Sequence, residues 1–573
     1  MSFLPPSLIG GDLHWLFDFV VKDAVMRFSR VPVAAVIDGE TFDYTGGLEF
    51  AEEFADAIDP FGSSPSERTV EISLHASLIV DVANQIMKGY DLAAARGKLW
   101  LYEANTETAV LFVDGVVRGV EFGGIEEPVS FSLEEVMADD AGLFPPLTAR
   151  IDASTWPNHA ETARGERYPW VFGQPGLHYD TADGNVDYGY ASPAYLVDTT
   201  GGAQVLLIAG HHVEAGQVRL LCEGAQKNLV TVTNTHDGLG NPCATCEVGS
   251  TGSGGAGAAE DDDTFFVKWH TQGGGVMHPD GSLMSGAGDV LRYMLGFSRM
   301  RIDHGRVAAA IPMLNQFRID TAIVCAPDKR FTPWAWIEDH LTGLLPVSWR
   351  ISPGAQGGFY PVVWRFDATS HDAVAKIRAS AEVHGADNLS LHSELVAPNA
   401  YREGRASFSS RSEVANEFTL EYQSDLKDGA AWARKTLTGD LALVEKDEAA
   451  TANLYCHTSR TRYRGADGLP QTVSIDLKSD LIWEPATAAM VLSWLSRKHA
   501  IQSVFVSYVV DAEAACNLEP GDVVLVTDTE LQFTEYLFMV ESITWRSDRF
   551  LSLDLRSLVD AARDMAGAEG EEH

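Results

Sequence analysis

Two cysteines three residues apart, Cys243 and Cys246 in NPCATCEVGS, are the residues whose type and spacing most directly allow chemistry. A C-x-x-C turn aims two thiolates at one ion, and a closed tetrahedral site needs two further ligands. Cys222, in RLLCEGAQ 21 residues before Cys243, is the natural third, because a hairpin from QVRLLCEG to NPCATCEVG would bring it alongside. His236, in TNTHDGLGNPC, is a candidate fourth ligand, with Cys325 or no residue as the alternatives. A thioredoxin-type redox pair needs the motif to open a helix in a βαβ unit, whereas glycine, proline and polar residues surround it here. A metal or cluster, a disulfide and free thiols all stay open. Cys325, Cys456 and Cys516 stand singly in apolar or mixed segments, as buried reduced thiols do.

Other groups carry less. DTADGNVDYG places Asp180, Asp183, Asn185 and Asp187 in one loop of oxygen ligands, without the D-x-D-x-D-G spacing of a calcium loop. If the segment after VLLIAG is a strand, His211 and His212 fall on its opposite faces and do not easily ligate one ion together. Pairs such as Glu126 and Glu127 are inevitable among 81 acidic residues and point to no glycosidase. Phosphate-loop, H-E-x-x-H and G-x-S-x-G patterns are missing. The expectation is a protein without enzymatic activity. A hydrolase of wall or capsule polymers and a receptor-binding adhesin are the alternatives.

The elements that position these residues follow from composition and pattern. At 573 residues the chain suits two to four domains. A hydrophobic content of 45% excludes global disorder, and six cysteines are too few for a disulfide scaffold. No apolar run reaches membrane-spanning length and the start is unlike a signal peptide, so the expectation is a soluble product made in the cytoplasm. The formal charge of −39 disfavours specific duplex-DNA binding; halophilic adaptation would give the same balance.

The expected fold class is α+β and predominantly β. Residues 1–150 read as a small β-barrel or sandwich, with strands Lys98–Glu103, Val110–Val113 and Val116–Phe122. Val129, Phe131 and Leu133 share one face of a further strand, and Leu74, Leu78, Val82 and Ile86 form the stripe of a helix. Residues 151–280 read as an irregular, turn-rich accessory module carrying the cysteines and a flexible Gly/Ser/Asp loop at 249–264. Residues 281–440 read as a central α+β unit. Its helices are GAGDVLRYMLGF, TPWAWIEDHLTGLL and HDAVAKIRASAEVHG, with strands YPVVWRF and NEFTLEYQSDL. Residues 441–573 begin with the helix EPATAAMVLSWLSRKHA and end in strand after strand.

That last region, NLEPGDVVLVTDTE followed by TEYLFMVESITWRSDRFLSLDLRSL, resembles the C-terminal barrel of tail hub and tail-tip proteins of long-tailed bacteriophages and gene transfer agents. The helix and strands before it match the same plan. TAVLFVDGVVRGVEF looks like the tube-type domain of the same hubs, and the likeness covers about two thirds of the chain. The resemblance implies tandem tube-like barrels, two per chain, and a homotrimer whose barrels form a pseudo-sixfold ring. It implies a structural virion protein at the distal tip of the tail, closing the tail tube. Its partners would be the distal tail protein ring, the tape measure protein and the tip or receptor-binding proteins, with the host surface met indirectly. Three copies would carry about −117, three times the −39, so DNA leaving the channel would slide past an acidic wall without specific binding. Some such assemblies hold an iron–sulfur cluster through cysteines. That implies an iron–sulfur cluster or zinc for Cys222, Cys243, Cys246 and His236, and the oxidised alternative is a disulfide formed in the released particle.

Overall fold

The computed structural model describes residues 13–21, 24–50, 54–57, 69–75, 95–122, 128–135, 142–175, 192–200, 203–214, 216–222, 225–249, 265–270, 283–352, 358–365, 367–379, 400–424, 431–447, 450–465, 467–511, 515, 518–545 and 550–558. The fold is predominantly β, in several sheets with one small closed barrel.

The first sheet holds β1 (Leu13–Val21), β2 (Ala24–Ser29), β3 (Val33–Ile37), β4 (Glu40–Gly46) and β5 (Leu48–Phe50). After β6 (Phe54–Ala57) it continues with β7 (Thr69–Leu74), β8 (Arg96–Glu103), β9 (Thr108–Phe122) and β10 (Val129–Glu135). Its order is β3-β4-β2-β1-β8-β9-β10-β7-β5. The alternation in β10 is as expected, with Val129, Phe131 and Leu133 all buried. The expected strands at 110–113 and 116–122 are one 15-residue strand. Gly115 does not turn the chain; it lets a neighbour in, since a Cβ there would stand 2.2 Å from the Glu134 carbonyl oxygen. Leu74 ends β7, while the rest of the expected helix stripe lies outside the described residues.

The stretch expected to be irregular contains, after β11 (Trp170–Phe172), a closed antiparallel barrel. Its strands are β12 (Ser192–Asp198), β13 (Ala203–Ala209), β14 (Gln217–Cys222), β15 (Ala225–His236), β16 (Pro242–Gly249) and β17 (Phe265–His270), in the order β12-β13-β16-β15-β14-β17. Turn residues dominate the composition, but apolar residues such as Leu206, Ile208, Val218, Leu220, Val267 and Trp269 fill a real core.

The central unit contains α1 (Ala287–Leu295), α2 (His304–Leu314), β18 (Thr321–Ile323), α3 (Pro333–His340), β19 (Val347–Ile351) and β20 (Phe359–Val363). Local chemistry explains α3: the Thr332 hydroxyl accepts the Ala335 N–H at 3.2 Å, and Pro333 opens the helix. Then come β21 (Ala375–Ala379), β22 (Ala400–Phe408), β23 (Glu417–Ser424), β24 (Ala431–Thr438), α4 (Leu441–Val444), β25 (Ala450–Ala452), α5 (Leu454–Arg462), β26 (Ser474–Lys478) and α6 (Pro485–His499). β21 corrects an expected helix at 371–385. Ala375, Ile377 and Ala379 sit at every second position, and β21 runs parallel to β28 (Val523–Asp528) in register from Ala375↔Val524 to Ala379↔Asp528. Sheet pairing overrides the helical propensity of an alanine-rich stretch.

The last strands are β27 (Val504–Asp511), β28, β29 (Phe533–Trp545) and β30 (Phe550–Ser557). Their sheet has the order β28-β21-β22-β27-β30-β29-β6, and a further β28–β29 pairing bends it back on itself. The cores do not follow chain order. One core joins strands of 13–133 to strands of 375–555. A second runs from Phe144 to Leu495 and so crosses the boundaries expected at 280 and 440. No helix among the described residues is long and apolar enough to cross a membrane.

Candidate functional site

Cys243 and Cys246 lie in β16, and a strand sends residues three apart to opposite faces. Cys243 packs into the central core beside Val197 and Leu207, while Cys246 points into the barrel with Ala244 and Val248. Both are fully buried. Burial pushes each thiol up to about 12, helped at Cys243 by the nearby Asp237 carboxylate. These two thiols therefore do not present themselves to one ion. Cys222 ends β14, with β15 between it and β16, and its side chain lies outside the described residues. His236 is exposed at the end of β15 and meets the His212 ring edge to face at 5.0 Å. Cys325 is buried in the central core, its thiol pushed up to about 11 by burial. Among the described residues, no three or more His, Cys, Asp or Glu side chains converge on a metal cradle. Asp180, Asp183, Asn185 and Asp187, the pair Glu126 and Glu127, and the loop at 250–264 lie outside the described residues.

Histidine 211 and Asp237 do a different task from ligation, tying the small barrel to the central unit. Val171 N–H donates to His211 Nε2 at 3.0 Å, and His211 Nδ1–H donates to the His212 carbonyl at 3.0 Å. Both ring nitrogens are engaged with the ring neutral, and burial lowers its pKa to about 4. Asp237 accepts from the N–H groups of Leu239 and Asn241, each at 2.9 Å, and from the Tyr168 hydroxyl and Asn241 Nδ2, each at 2.8 Å.

A charged cluster forms where the Glu519–Asp522 turn meets the central unit. Arg306, on the first turn of α2, donates Nη1 and Nη2 to Glu519 Oε2 and Oε1 at 2.5 and 2.8 Å, a two-pronged pair. Asp303 caps α2 by accepting the Arg306 N–H at 3.0 Å. The Tyr360 hydroxyl on β20 accepts from Arg306 at 3.1 Å and from Arg350 at 3.0 Å, and Arg350 also reaches the Pro520 carbonyl at 3.4 Å. Asp522 accepts the Glu519 N–H at 2.8 Å, and burial pushes its carboxyl up to about 6. Gly521 has φ +100°, and a Cβ there would lie 2.3 Å from Val362, so the turn requires glycine.

The cluster borders a cavity of about 1090 Å³, whose apolar side includes Ala309, Met313, Val362 and Leu518. Among the described residues, no serine, threonine, cysteine or histidine lines it. Arg306 is paired with Glu519 and Asp303, Arg365 with Asp372, and Asp522 accepts a backbone N–H, which is the pattern of a joint between units. The acidic-Pro-Gly-Asp turn was legible in sequence. Arg306, Arg350 and Tyr360 were not, because they lie some 160 to 213 residues away along the chain and carry no local signature.

No protein-family model matches the chain, and no curated protein matches it. Among solved structures, it is similar to a tail protein from Neisseria meningitidis MC58 at 10% identity, over 68% of this chain and 97% of that one, with a TM-score of 0.26. It is similar to the 43 kDa tail protein of prophage MuSo2 from Shewanella oneidensis at 8% identity, over 96% and 99%, with a TM-score of 0.31. It is also similar to a chain of the virion of a native gene transfer agent particle at 17% identity, over 45% and 80%, with a TM-score of 0.17.

Proposed function

We propose that the chain is a structural subunit of a virion tail: a hub or tail-tip protein that closes the distal end of the tail tube and lines the exit channel. The observation that carries this reading is the joining of two β-modules within one chain. β6 leaves the first sheet and pairs antiparallel with β29 of the last, from Ser542↔Ala57 to Trp545↔Phe54. Trp15, Phe112 and Trp545 close the core between the two sheets. Such a joint fixes the angle between modules, as a subunit contributing two positions to a ring requires. Three copies would then supply six positions around one axis.

The turn at Glu519–Asp522, on which the sequence resemblance rests, locks the last module to the central unit by charge and shape. A subunit that transmits force along a tail needs such fixed joints. In this reading the copies form a homotrimer that meets the distal tail ring and tape measure protein on one side and the tip or receptor-binding proteins on the other. The acidic surface, −39 per chain, lets DNA pass without binding it.

Electron microscopy of the purified chain and of intact particles tests the proposal. A threefold ring with a central channel, placed at the far end of the tail, is the expected result. A monomer that cleaves polysaccharide would overturn it.

A further inference from the structure

Two arginines face one pocket, and among the described residues neither has an ion pair with an acid. The pocket, about 410 Å³, opens between the turn after β22 and the loop 463–473 leading into β26. Arg411, Ser412, Asn416, Tyr463, Arg464 and Gln471 line it. Arg411 donates Nη2 to the Arg464 carbonyl and lies 5.9 Å from the centre of the Tyr463 ring. Arg464 donates Nε to the Thr461 carbonyl at 3.2 Å and Nη1 to the Gly468 carbonyl at 3.5 Å. These acceptors are neutral, so they hold the two guanidiniums in place and leave their charge uncancelled.

The neighbouring charges sharpen the contrast. Arg460 is paired with Asp440 at 2.7 Å, and the loop's own acid, Asp467, accepts the Leu469 N–H at 3.0 Å. Arg462, exposed at the end of α5, adds a third positive group. The pocket floor is fixed: Asn416 is 3% exposed, donates to the Gln471 carbonyl at 2.8 Å and accepts the Val473 N–H at 3.0 Å. Beside it, residues 467–474 are exposed without a break, with Leu469 at 62% and Val473 at 43%. β26, which follows, is the edge of its four-stranded sheet.

We propose that this face receives an acidic surface of a second copy of the chain, whose carboxylates pair with Arg411 and Arg464. Charge selects that occupant. Copies carrying −39 each repel one another, so a contact between them forms where an unbalanced cluster of cations meets a neighbour's acids. Arginine forks suit carboxylates geometrically, and the apolar Leu469 and Val473 add area around the charged centre. The inference rests on the subunit reading above and assigns one of its contacts.

Sedimentation of the full chain over a range of concentration and salt tests this. The double reversal R411E/R464E is expected to weaken self-association by at least about tenfold, while R411K/R464K, which keeps the charge and loses the fork, weakens it less. R462E, at an exposed position, should weaken it too, and serves if the double variant melts early. Assembly of all three reversed sites as in the wild type would overturn the proposal, as would a wild-type chain that stays monomeric at every concentration. Loss of binding to a single-stranded oligonucleotide, with assembly unchanged, would overturn it in favour of a nucleic acid. The two readings fail separately. A particle whose tail end lacks this chain removes the function, whereas a threefold ring built equally well by R411E/R464E removes only this contact.

Discussion

Trp15 of β1 and Trp545 of β29 meet edge to face with ring centres 5.3 Å apart, joining residues from opposite ends of the chain in one core. Trp15 is 3% exposed and Trp545 6%, and Phe112 touches both rings. Truncating Trp545 to alanine should cost about 3–5 kcal/mol, the usual loss for a large buried aromatic. Because the ring of β29 packs against Trp15 and Phe112 of the first sheet, chemical denaturation of Trp545→Ala should show the first and last modules losing stability together. A loss confined to the last module would show that they unfold as separate units.

Asp522 gives the joint a pH signature. Its folded carboxyl is pushed up to about 6 by burial, above an ordinary value of 3.8. Between those values the folded chain holds a proton that the unfolded chain has released, so this residue's contribution to stability falls as pH rises from about 4 to 6. Asp522→Asn cannot ionise and keeps an oxygen for the Glu519 N–H. The variant should therefore gain on the wild type by about 2–3 kcal/mol between pH 4 and 7. Melting curves of both proteins across that range measure the difference, and parallel curves would contradict it.

His211 works in the opposite sense. Burial holds its folded pKa near 4, below the ordinary 6.5. On acidification the unfolded chain takes up a proton first, so the stability contributed by neutral His211 is lost as pH falls from 6.5 toward 4. His211→Ala should cost about 1–3 kcal/mol at pH 7.5, because the Val171 N–H loses its buried acceptor. At pH 5 the cost should be smaller by about 2 kcal/mol. Denaturant titrations at the two pH values read this directly.

Cys243 and Cys246 should resist alkylation in the folded protein, since both thiols are buried and pushed up to about 12. Cys246→Ser should cost about 1–3 kcal/mol by placing a hydroxyl in the apolar barrel core. Mass spectrometry after iodoacetamide treatment, with and without denaturant, checks the first expectation. Metal analysis and a visible spectrum of protein purified without air check the cluster. Iron bound through both cysteines would mean that β16 opens to turn the two sulfurs to one side.

Several features were written locally and could be read from the chain alone. The Thr332–Pro333 start of α3 and the stripe of Ala488, Val491, Leu492 and Leu495 on α6 follow from capping and a 3.6-residue period. The apolar alternation of Phe418, Leu420 and Tyr422 on β23, all three buried, follows a two-residue period. These rules act within a turn or two, so sequence suffices for them. Four other features were decided by the tertiary structure: β21 as a strand, the closure of the small barrel, the pairing of β6 with β29, and the reach of Arg306 to Glu519 across 213 residues. The C-x-x-C spacing was read as a turn able to converge two thiols. Barrel pairing made it a strand instead, and the pleat then sent Cys243 and Cys246 into different cores. A strand's partner is chosen by packing across the whole chain, and no local period records that choice.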